Sequence, residues 1–127
     1  MINSDKEDLI QRYLAAYNAF DVAGMLDLLS PDVRFDNYSD GQLTHTVNGI
    51  GEFRELAEKS ASLFSEREQR ITRLTFGQKS AIADIAYRGR LAADMPDGPS
   101  AGKVLNLQGQ SEFYFQGGQI SKIVDRS

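Results

Sequence analysis

The stretch Leu28-Leu29-Ser30-Pro31-Asp32-Val33-Arg34-Phe35 decides the fold, because helical periodicity ends inside it and strand periodicity begins. Before it, Asp21 can cap a short second helix, which Ser30-Pro31 ends because the residue before a proline avoids helical geometry. Beyond the proline, apolar and polar residues alternate up to Tyr38, which is the period of a half-buried strand. The stretch therefore predicts a tight corner between a helix and the first strand of a sheet.

Two longer helices are predicted on either side of this corner. The first runs from about Asp5 to Phe20, and Ser4 and Glu7 have the spacing of a capping box at its start. The third opens at Asn48-Gly49, and both helices carry apolar residues at helical spacing on one face. These residues are Leu9, Ile10, Tyr13, Leu14, Tyr17 and Phe20 in the first helix, and Ile50, Phe53, Leu56, Ala57, Ala61 and Phe64 in the third.

The rest of the chain has the alternation and the turn signals of strands. After a short segment around Thr44 to Val47, the predicted strands cover residues 69–76, 81–93, 104–116 and 119–125, and a loop rich in Pro and Gly covers residues 94–102. Helices followed by hairpin-linked strands predict an α+β layer, with the helices on one face of a mixed or antiparallel sheet. Residues 1–127 contain no linker or repeat and are expected to form one domain.

Composition excludes several classes of function. The chain has no Cys and a single His, which rules out thiolate nucleophiles and metal sites built from several Cys or His, so no metal and no cofactor is predicted. A net charge of -4 disfavours nucleic acid as a partner. No apolar run is long enough to span a bilayer, and the polar start from Met1 to Asp8 is unlike a signal peptide, so we expect a cytoplasmic protein without a membrane partner.

Three segments carry a resemblance to a known family: Tyr13-Leu14-Ala15-Ala16-Tyr17-Asn18-Ala19-Phe20-Asp21, the corner from Leu28 to Phe35, and the helix start Gly49-Ile50. Together they resemble the SnoaL-like branch of the nuclear transport factor 2-like superfamily, over almost the whole chain. The resemblance implies a cone in which three N-terminal helices pack on a curved mixed or antiparallel sheet around an apolar pocket. The superfamily includes isomerases, cyclases, hydratases, dehydratases and non-catalytic binding proteins, so the fold does not choose the function.

Ketosteroid isomerase is the catalytic comparison that this resemblance suggests. That enzyme stabilises an enolate with a helix-1 tyrosine and a protonated aspartic acid, while a second aspartate moves the proton. Tyr13 falls at the position of its tyrosine. Its general base falls at Asn37, one residue after Asp36, and its second aspartic acid falls at Ser111, beside Glu112. An asparagine cannot take up a proton at neutral pH, so the proton transfer of that mechanism does not carry over.

Three residues are candidates for holding or polarising a ligand. Tyr13 can donate a hydrogen bond to a carbonyl or a developing oxyanion, or it can be a core tyrosine that bonds a backbone group or water. Asn37 and Ser111, both predicted on inward strand faces, can orient a polar substrate group or a water. Alternatively, these two side chains can satisfy each other inside the core.

Two residues are candidates for carrying a proton. Asp125 shares the parity of Ile123, so it can face the pocket with a raised pKa, or it can lie on the surface near the chain end. His45 titrates near neutrality and is expected in a loop at the lip of the pocket, where a lone histidine can also be merely solvated. Asp36 is out of phase with Asn37 and predicts a surface carboxylate, unless a bulge turns it inward.

A set of aromatic residues can form an apolar bowl for a flat ligand, since ligand pockets have mostly apolar walls; the alternative is an ordinary core. The predicted ligand-binding residues are Tyr17, Phe35, Phe53, Phe64, Tyr87, Phe113 and, as a polar member, Ser111. The charged clusters Glu66-Arg67-Glu68 and Arg88-Gly89-Arg90 are interpreted as solvated or interface surface.

The outward face of the strand at residues 104–116 has hydrogen-bonding side chains and little charge. Its residues are Asn106, Gln108, Gln110, Glu112 and Tyr114. This face suits a homodimer interface, and members of the resembled superfamily often dimerise across this sheet; the alternative is an ordinary exposed sheet face.

The leading hypothesis is a small-molecule-binding protein that catalyses a cofactor-free proton transfer, such as isomerisation, cyclisation or dehydration, on a small apolar carbonyl compound. The competing hypothesis is a non-catalytic domain for ligand binding or protein interaction. A carboxylate or histidine that faces a ligand cavity favours the first hypothesis. An interior filled by the protein's own aromatic side chains favours the second.

Overall fold

The computed structural model describes residues 1–127 and contains three helices and six strands. In chain order they are α1 (Asn3–Asn18), α2 (Val22–Leu26), β1 (Leu29–Ser39), β2 (Gln42–Asn48), α3 (Ile50–Ser62), β3 (Phe64–Phe76), β4 (Ser80–Leu91), β5 (Val104–Gln116) and β6 (Gln119–Arg126). The α+β class predicted from the sequence is confirmed. The third helix lies between β2 and β3, so two strands precede it.

The sheet is mixed and open, with the strand order β2-β1-β6-β5-β4-β3. Four neighbouring pairs are antiparallel, whereas β1 and β6 run parallel. The parallel pair brings the first and last strands of the chain together in the middle of the sheet. The predicted meander describes β3 to β6, but pattern alone does not reveal that β6 returns beside β1.

The corner after α1 forms as predicted, although its boundaries differ. The Asp21 side chain accepts a 2.9 Å hydrogen bond from the Gly24 backbone N–H and so caps α2. The helix ends at Leu26, and β1 begins at Leu29, two residues before the proline that was expected to end the helix. The predicted capping box of α1 is absent, because the helix already begins at Asn3 and Ser4 lies inside it.

β2 and β3 are longer than the sequence pattern predicts, and this moves two candidate residues. β2 extends over Gln42–Asn48 and contains His45, which was expected in a loop. β3 begins at Phe64, a residue that was predicted on the third helix, because α3 ends at Ser62. The early part of β3 has polar residues on both faces, so it lacks the alternation of apolar and polar residues that marks a strand.

The core joins the helices to one face of the sheet. Leu9 and Tyr13 of α1 and Phe53 of α3 share a cluster of 19 buried residues with strand residues such as Ala83 and Phe113. We call this sheet face the inner face and the opposite one the outer face. Burial of this apolar surface is the main stabilising contribution.

Lys6 connects α1 to the far end of the sheet. It is 2% exposed, and its ammonium group donates hydrogen bonds of 2.7 and 2.8 Å to the carbonyl oxygens of Gly77 and Gln78. Those carbonyls belong to the turn between β3 and β4. A buried lysine therefore fixes the hairpin against the first helix.

No helix of the protein combines the length and the apolar character needed to cross a membrane.

Candidate functional site

A cavity of about 440 Å³ lies between the helices and the inner face of the sheet. Its volume is in the range of small-molecule sites. Except for Phe64, every residue that the sequence analysis singled out as a site residue lines it: Tyr13, Tyr17, Phe35, Asn37, His45, Phe53, Tyr87, Ser111, Phe113 and Asp125. The fold thus brings the candidates together from seven different elements.

Phe64 does not line this cavity. Its ring packs edge-on against Tyr87, with ring centres 5.8 Å apart, and occupies the space over Gly89, where a Cβ atom would approach the ring to 2.8 Å. The absent side chain of Gly89 makes room for the ring. Phe64 therefore packs against Tyr87, which itself lines the cavity.

Polar residues form one row across the inner face. In the strand register, Asn37 of β1 lies opposite His45 on one side and opposite Asp125 on the other, and Asp125 lies opposite Ser111 of β5. Residues directly opposite each other on neighbouring strands point to the same face. Four candidates that are separated by up to 88 positions along the chain therefore stand side by side in the cavity wall.

Asp125 is the central carboxylate of this row. The Ser111 hydroxyl donates a 2.7 Å hydrogen bond to its Oδ1 atom. Burial raises the pKa of Asp125 to about 6, and the hydrogen bond from Ser111 opposes part of that increase. The expected alternative of a solvated surface aspartate is wrong. A carboxylate with this pKa is mostly ionised at pH 7 and still exchanges protons readily.

Tyr13 lines the same cavity, near enough for the charge of Asp125 to act on its hydroxyl. It is 6% exposed, and its ring packs edge-on against Phe113 with ring centres 5.9 Å apart. Burial, and then the negative charge of Asp125, raise the pKa of the Tyr13 hydroxyl well above its ordinary value. The hydroxyl therefore stays protonated at neutral pH and can act as a hydrogen-bond donor.

Asn37 and Ser111 do not satisfy each other. The Asn37 side-chain amide nitrogen donates a 2.8 Å hydrogen bond to the Thr44 hydroxyl, which in turn donates to the Asn37 backbone carbonyl oxygen at 3.1 Å. Thr44 thereby fixes the amide orientation at the edge of the cavity. His45, the neighbour of Thr44, is exposed and lines the same edge.

A second pair of polar groups lies elsewhere in the cavity. The hydroxyl oxygens of Tyr17 and Tyr87 are 3.0 Å apart and share a hydrogen bond. Arg67 lies against Tyr17: its Nε atom donates a 2.8 Å hydrogen bond to the Tyr17 carbonyl oxygen, and its guanidinium carbon is 3.7 Å from the ring centre. The interpretation of Arg67 as solvated surface is wrong, since the residue is 6% exposed.

Asp36 points away from the cavity, as the alternation of β1 predicts, but it is not a surface carboxylate. It is 3% exposed on the outer face. It accepts hydrogen bonds from Arg34 at 3.2 Å and from the Thr46 hydroxyl at 2.9 Å, and the Lys122 ammonium lies 4.0 Å away. Its place on the face opposite the cavity excludes Asp36 as a base for a ligand bound there.

Residues 10–123 match a family model, the SnoaL-like domain. The chain belongs to the SnoaL-like family. The match includes Tyr13, Asn37 and Ser111 and ends two residues before Asp125. It confirms the resemblance to the SnoaL-like branch of the nuclear transport factor 2-like superfamily. A comparison with curated protein sequences finds no significant match.

Solved structures with the SnoaL-like fold resemble the chain over nearly its full length. A candidate polyketide cyclase from Xanthomonas campestris is 22% identical with a TM-score of 0.83, covering 98% of this chain and 90% of that one. A candidate polyketide cyclase from Pseudomonas putida is 28% identical with a TM-score of 0.71, covering 92% and 86%. A protein of ketosteroid isomerase-like fold from Catenulispora acidiphila, in complex with trimethylamine, is 12% identical with a TM-score of 0.76, covering 92% and 82%.

Sequence reasoning missed three features of this SnoaL-like site. Thr44 fixes Asn37, Arg67 supports Tyr17, and Gly109 lines the cavity at a point where a Cβ atom would come within 3.0 Å of the Arg126 carbonyl oxygen. A prediction that started β3 earlier would have placed Arg67 on the inner face, since it has the parity of Gln69 and Ile71.

No group of three or more His, Cys, Asp or Glu side chains is arranged to hold a metal ion.

Proposed function

We propose that this SnoaL-like protein binds a small, largely apolar carbonyl compound and catalyses a cofactor-free proton transfer at the carbon next to the carbonyl. Asp125 takes the proton, Tyr13 donates a hydrogen bond to the carbonyl oxygen as negative charge develops on it, and Asn37 and Ser111 orient the reacting groups. Isomerisation, cyclisation and dehydration of carbonyl compounds all begin with such a step.

The observation that carries the proposal is the buried Asp125 carboxylate, which lines the cavity, accepts a hydrogen bond from Ser111 and acts by its charge on the Tyr13 hydroxyl. A general base works best when its pKa lies near the operating pH, and burial in an apolar cavity raises the pKa of Asp125 to about 6. A neutral tyrosine close to that carboxylate is suited to stabilise an oxyanion. The name of the Pseudomonas putida relative, a candidate polyketide cyclase, is consistent with chemistry on carbonyl compounds.

The remaining candidates have supporting roles in this proposal. The apolar wall contributed by Tyr17, Phe35, Phe53, Tyr87 and Phe113 holds the hydrophobic part of the ligand. His45, exposed at the cavity edge, is a second proton carrier that exchanges protons with solvent.

Exchange of carbon-bound hydrogen for deuterium tests the proposal without knowledge of the natural substrate. The probe is 2-tetralone, a bicyclic ketone with acidic carbons, incubated with the protein in deuterated buffer at pD 7.5 and followed by proton NMR. We expect the wild-type protein to accelerate exchange above the buffer background and Asp125→Asn to reduce the acceleration at least tenfold. Asp32→Asn, which changes an exposed aspartate, is the matched control and should retain it.

A non-catalytic binding function is the competing candidate. It is favoured by the internal bonding of the polar groups, since Ser111 is bonded to Asp125 and Asn37 to Thr44. Saturable binding of 2-tetralone, with no acceleration of exchange and equal behaviour of the wild type and Asp125→Asn, would select this candidate.

We also propose a homodimer through the outer face of the sheet. Glu112 and Tyr114 are half-buried there, and Arg126 forms a 3.1 Å ion pair with Glu112 and lies over the Tyr38 ring. Such a polar and aromatic surface suits an interface between copies. Light scattering after size exclusion should give twice the monomer mass of 14.1 kDa, and Tyr114→Glu should shift the protein to monomer. The expected cytoplasmic location remains a prediction, which cell fractionation would check.

A further inference from the structure

The Tyr17–Tyr87 hydroxyl pair forms a polar region of the cavity that the proton-transfer site does not use. Tyr17 belongs to α1 and Tyr87 to β4, and both side chains line the cavity. When one hydroxyl donates to the other across 3.0 Å, one O–H group and several lone pairs remain free. The pair can therefore bind an oxygen atom of a ligand either as donor or as acceptor.

The strand register places this pair at a distance from Asp125. Asp125 lies opposite Ser111 of β5, whereas Tyr87 lies opposite Leu107, four residues earlier on the same strand. At about 3.3 Å per residue, the two rows are separated by about 13 Å along β5. On the helix side, the two ends correspond to Tyr13 and Tyr17, which are about 6 Å apart along the axis of α1. A ligand that spans both ends is about two fused rings long.

Arg67 supports the tyrosine pair and gives this end of the cavity a positive charge. It binds both the carbonyl oxygen and the ring of Tyr17, while its two terminal nitrogens are buried without a hydrogen-bond partner. No carboxylate forms an ion pair with it. Burial raises the pKa of Tyr87, and the Arg67 charge opposes that increase. The cavity thus has a cation behind one end and the Asp125 carboxylate at the other.

We propose that the Tyr17–Tyr87 pair is a second hydrogen-bonding subsite, which binds a carbonyl or hydroxyl oxygen at the end of the ligand remote from the reacting carbon, with Arg67 as its positioning residue. The inference rests on the proposed function in taking the cavity as the ligand site. It narrows the substrate class to flat, mainly apolar ketones about two rings long, with a second oxygen function at the far end. Because no carboxylate pairs with Arg67, its positive charge favours binding of the electron-rich end of such a ligand at Tyr17 and Tyr87.

Two ketones that differ by one hydroxyl group test this subsite. The probes are 2-tetralone and 6-hydroxy-2-tetralone, whose hydroxyl lies at the end opposite the ketone, and their affinities are measured by titration calorimetry. We expect the wild-type protein to bind the hydroxylated probe about three- to tenfold more tightly, the effect of one additional hydrogen bond. Tyr87→Phe should abolish this preference while leaving the affinity for 2-tetralone within twofold.

Further variants separate positioning from general damage to the fold. Tyr114→Phe, which removes a tyrosine hydroxyl from the outer face, is the control and should retain the full preference. Arg67→Gln should reduce the preference and leave 2-tetralone binding in place, because Tyr17 loses its support but the apolar wall remains. If Arg67 had only a structural role, Arg67→Gln would lower the affinity for both probes by the same factor.

The outcomes distinguish this inference from the function on which it rests. Equal affinities of the wild type for both probes, or a preference that survives Tyr87→Phe, would overturn the subsite and leave the proton-transfer proposal intact. Failure of both probes to bind at millimolar concentration would count against the cavity as a ketone site and so against both proposals. Loss of the preference in Tyr87→Phe alone, with Tyr114→Phe unchanged, supports the subsite.

Discussion

Ser111 and Asp125 face each other on neighbouring antiparallel strands, and the serine hydroxyl donates a 2.7 Å hydrogen bond to the aspartate. Burial and the serine have opposing effects on the pKa of Asp125. Burial favours the neutral carboxylic acid, whereas the hydrogen bond from the serine favours the carboxylate. Their balance keeps the pKa of Asp125 near 6, in the range where a base is both ionised and basic enough to act. The site's pH behaviour follows from this pair.

The rate of 2-tetralone exchange should rise with pH and level off above pH 7. Only the ionised form of Asp125 accepts a proton, so the apparent pKa of the rate profile should be about 6. The measurement is the second-order exchange rate between pH 4.5 and 8, corrected for buffer. A profile that increases without a plateau, or a midpoint near pH 4, would contradict the assignment of Asp125 as the base.

Ser111→Ala should move the midpoint of this profile to higher pH. The variant removes the hydrogen bond that stabilises the carboxylate, while burial, which raises the pKa, remains. Exchange at pH 6 should therefore fall more than exchange at pH 8. Ser65→Ala, at an exposed position on β3, serves as control and should leave the midpoint unchanged. A downward shift in Ser111→Ala would show that the serine does not act on Asp125 in this way.

Asp125→Asn should stabilise the protein at neutral pH while it abolishes proton transfer. Because the folded state binds the Asp125 proton more tightly than the unfolded chain, the free energy of unfolding of the wild type decreases as the pH rises from about 4 through 6. The increase from 3.8 to about 6 corresponds to at most about 3 kcal/mol.

Urea denaturation of both proteins at pH 4 and pH 7.5 measures this effect. We expect Asp125→Asn to be more stable than the wild type by about 1 to 3 kcal/mol at pH 7.5, and the difference to shrink towards zero at pH 4. Equal stability at both values would mean that the carboxylate is not desolvated in the folded protein.

Lys6→Ala should destabilise the protein without a direct effect on the cavity. The substitution removes two hydrogen bonds to the carbonyl oxygens of Gly77 and Gln78 and leaves space beside them, at an expected cost of about 2 to 4 kcal/mol in unfolding free energy. Thermal unfolding at pH 7.5 is the measurement. Lys79→Ala, an exposed lysine in the same hairpin, is the control and should change stability by about 0.5 kcal/mol or less. Equal effects of the two substitutions would refute a structural role for the buried ammonium.

Local patterns predict much of this molecule, and they fail where the neighbouring residues in the sequence are mostly polar. The cap at Asp21, the inward parity of Asn37 and the strand over residues 104–116 follow from spacing and alternation alone. The start of β3 has no such alternation, so Arg67 was assigned to the surface although α1 covers it. Asp36 shows the same limitation, because alternation predicts its face but not the covering side chains of Arg34 and Lys122.

The sequence by itself determined the α+β class, the helix-to-strand corner, the family and ten of the 24 residues that line the cavity, because these depend on local spacing and on the chemistry of each side chain. The tertiary structure decided which polar groups meet. The parallel pairing of β1 with β6 places Asn37 beside Asp125, and the packing of α1 on the sheet brings Tyr13 near that carboxylate and Tyr17 onto Tyr87. A pKa near 6 arises from burial among residues distant in sequence, and no local pattern encodes that environment.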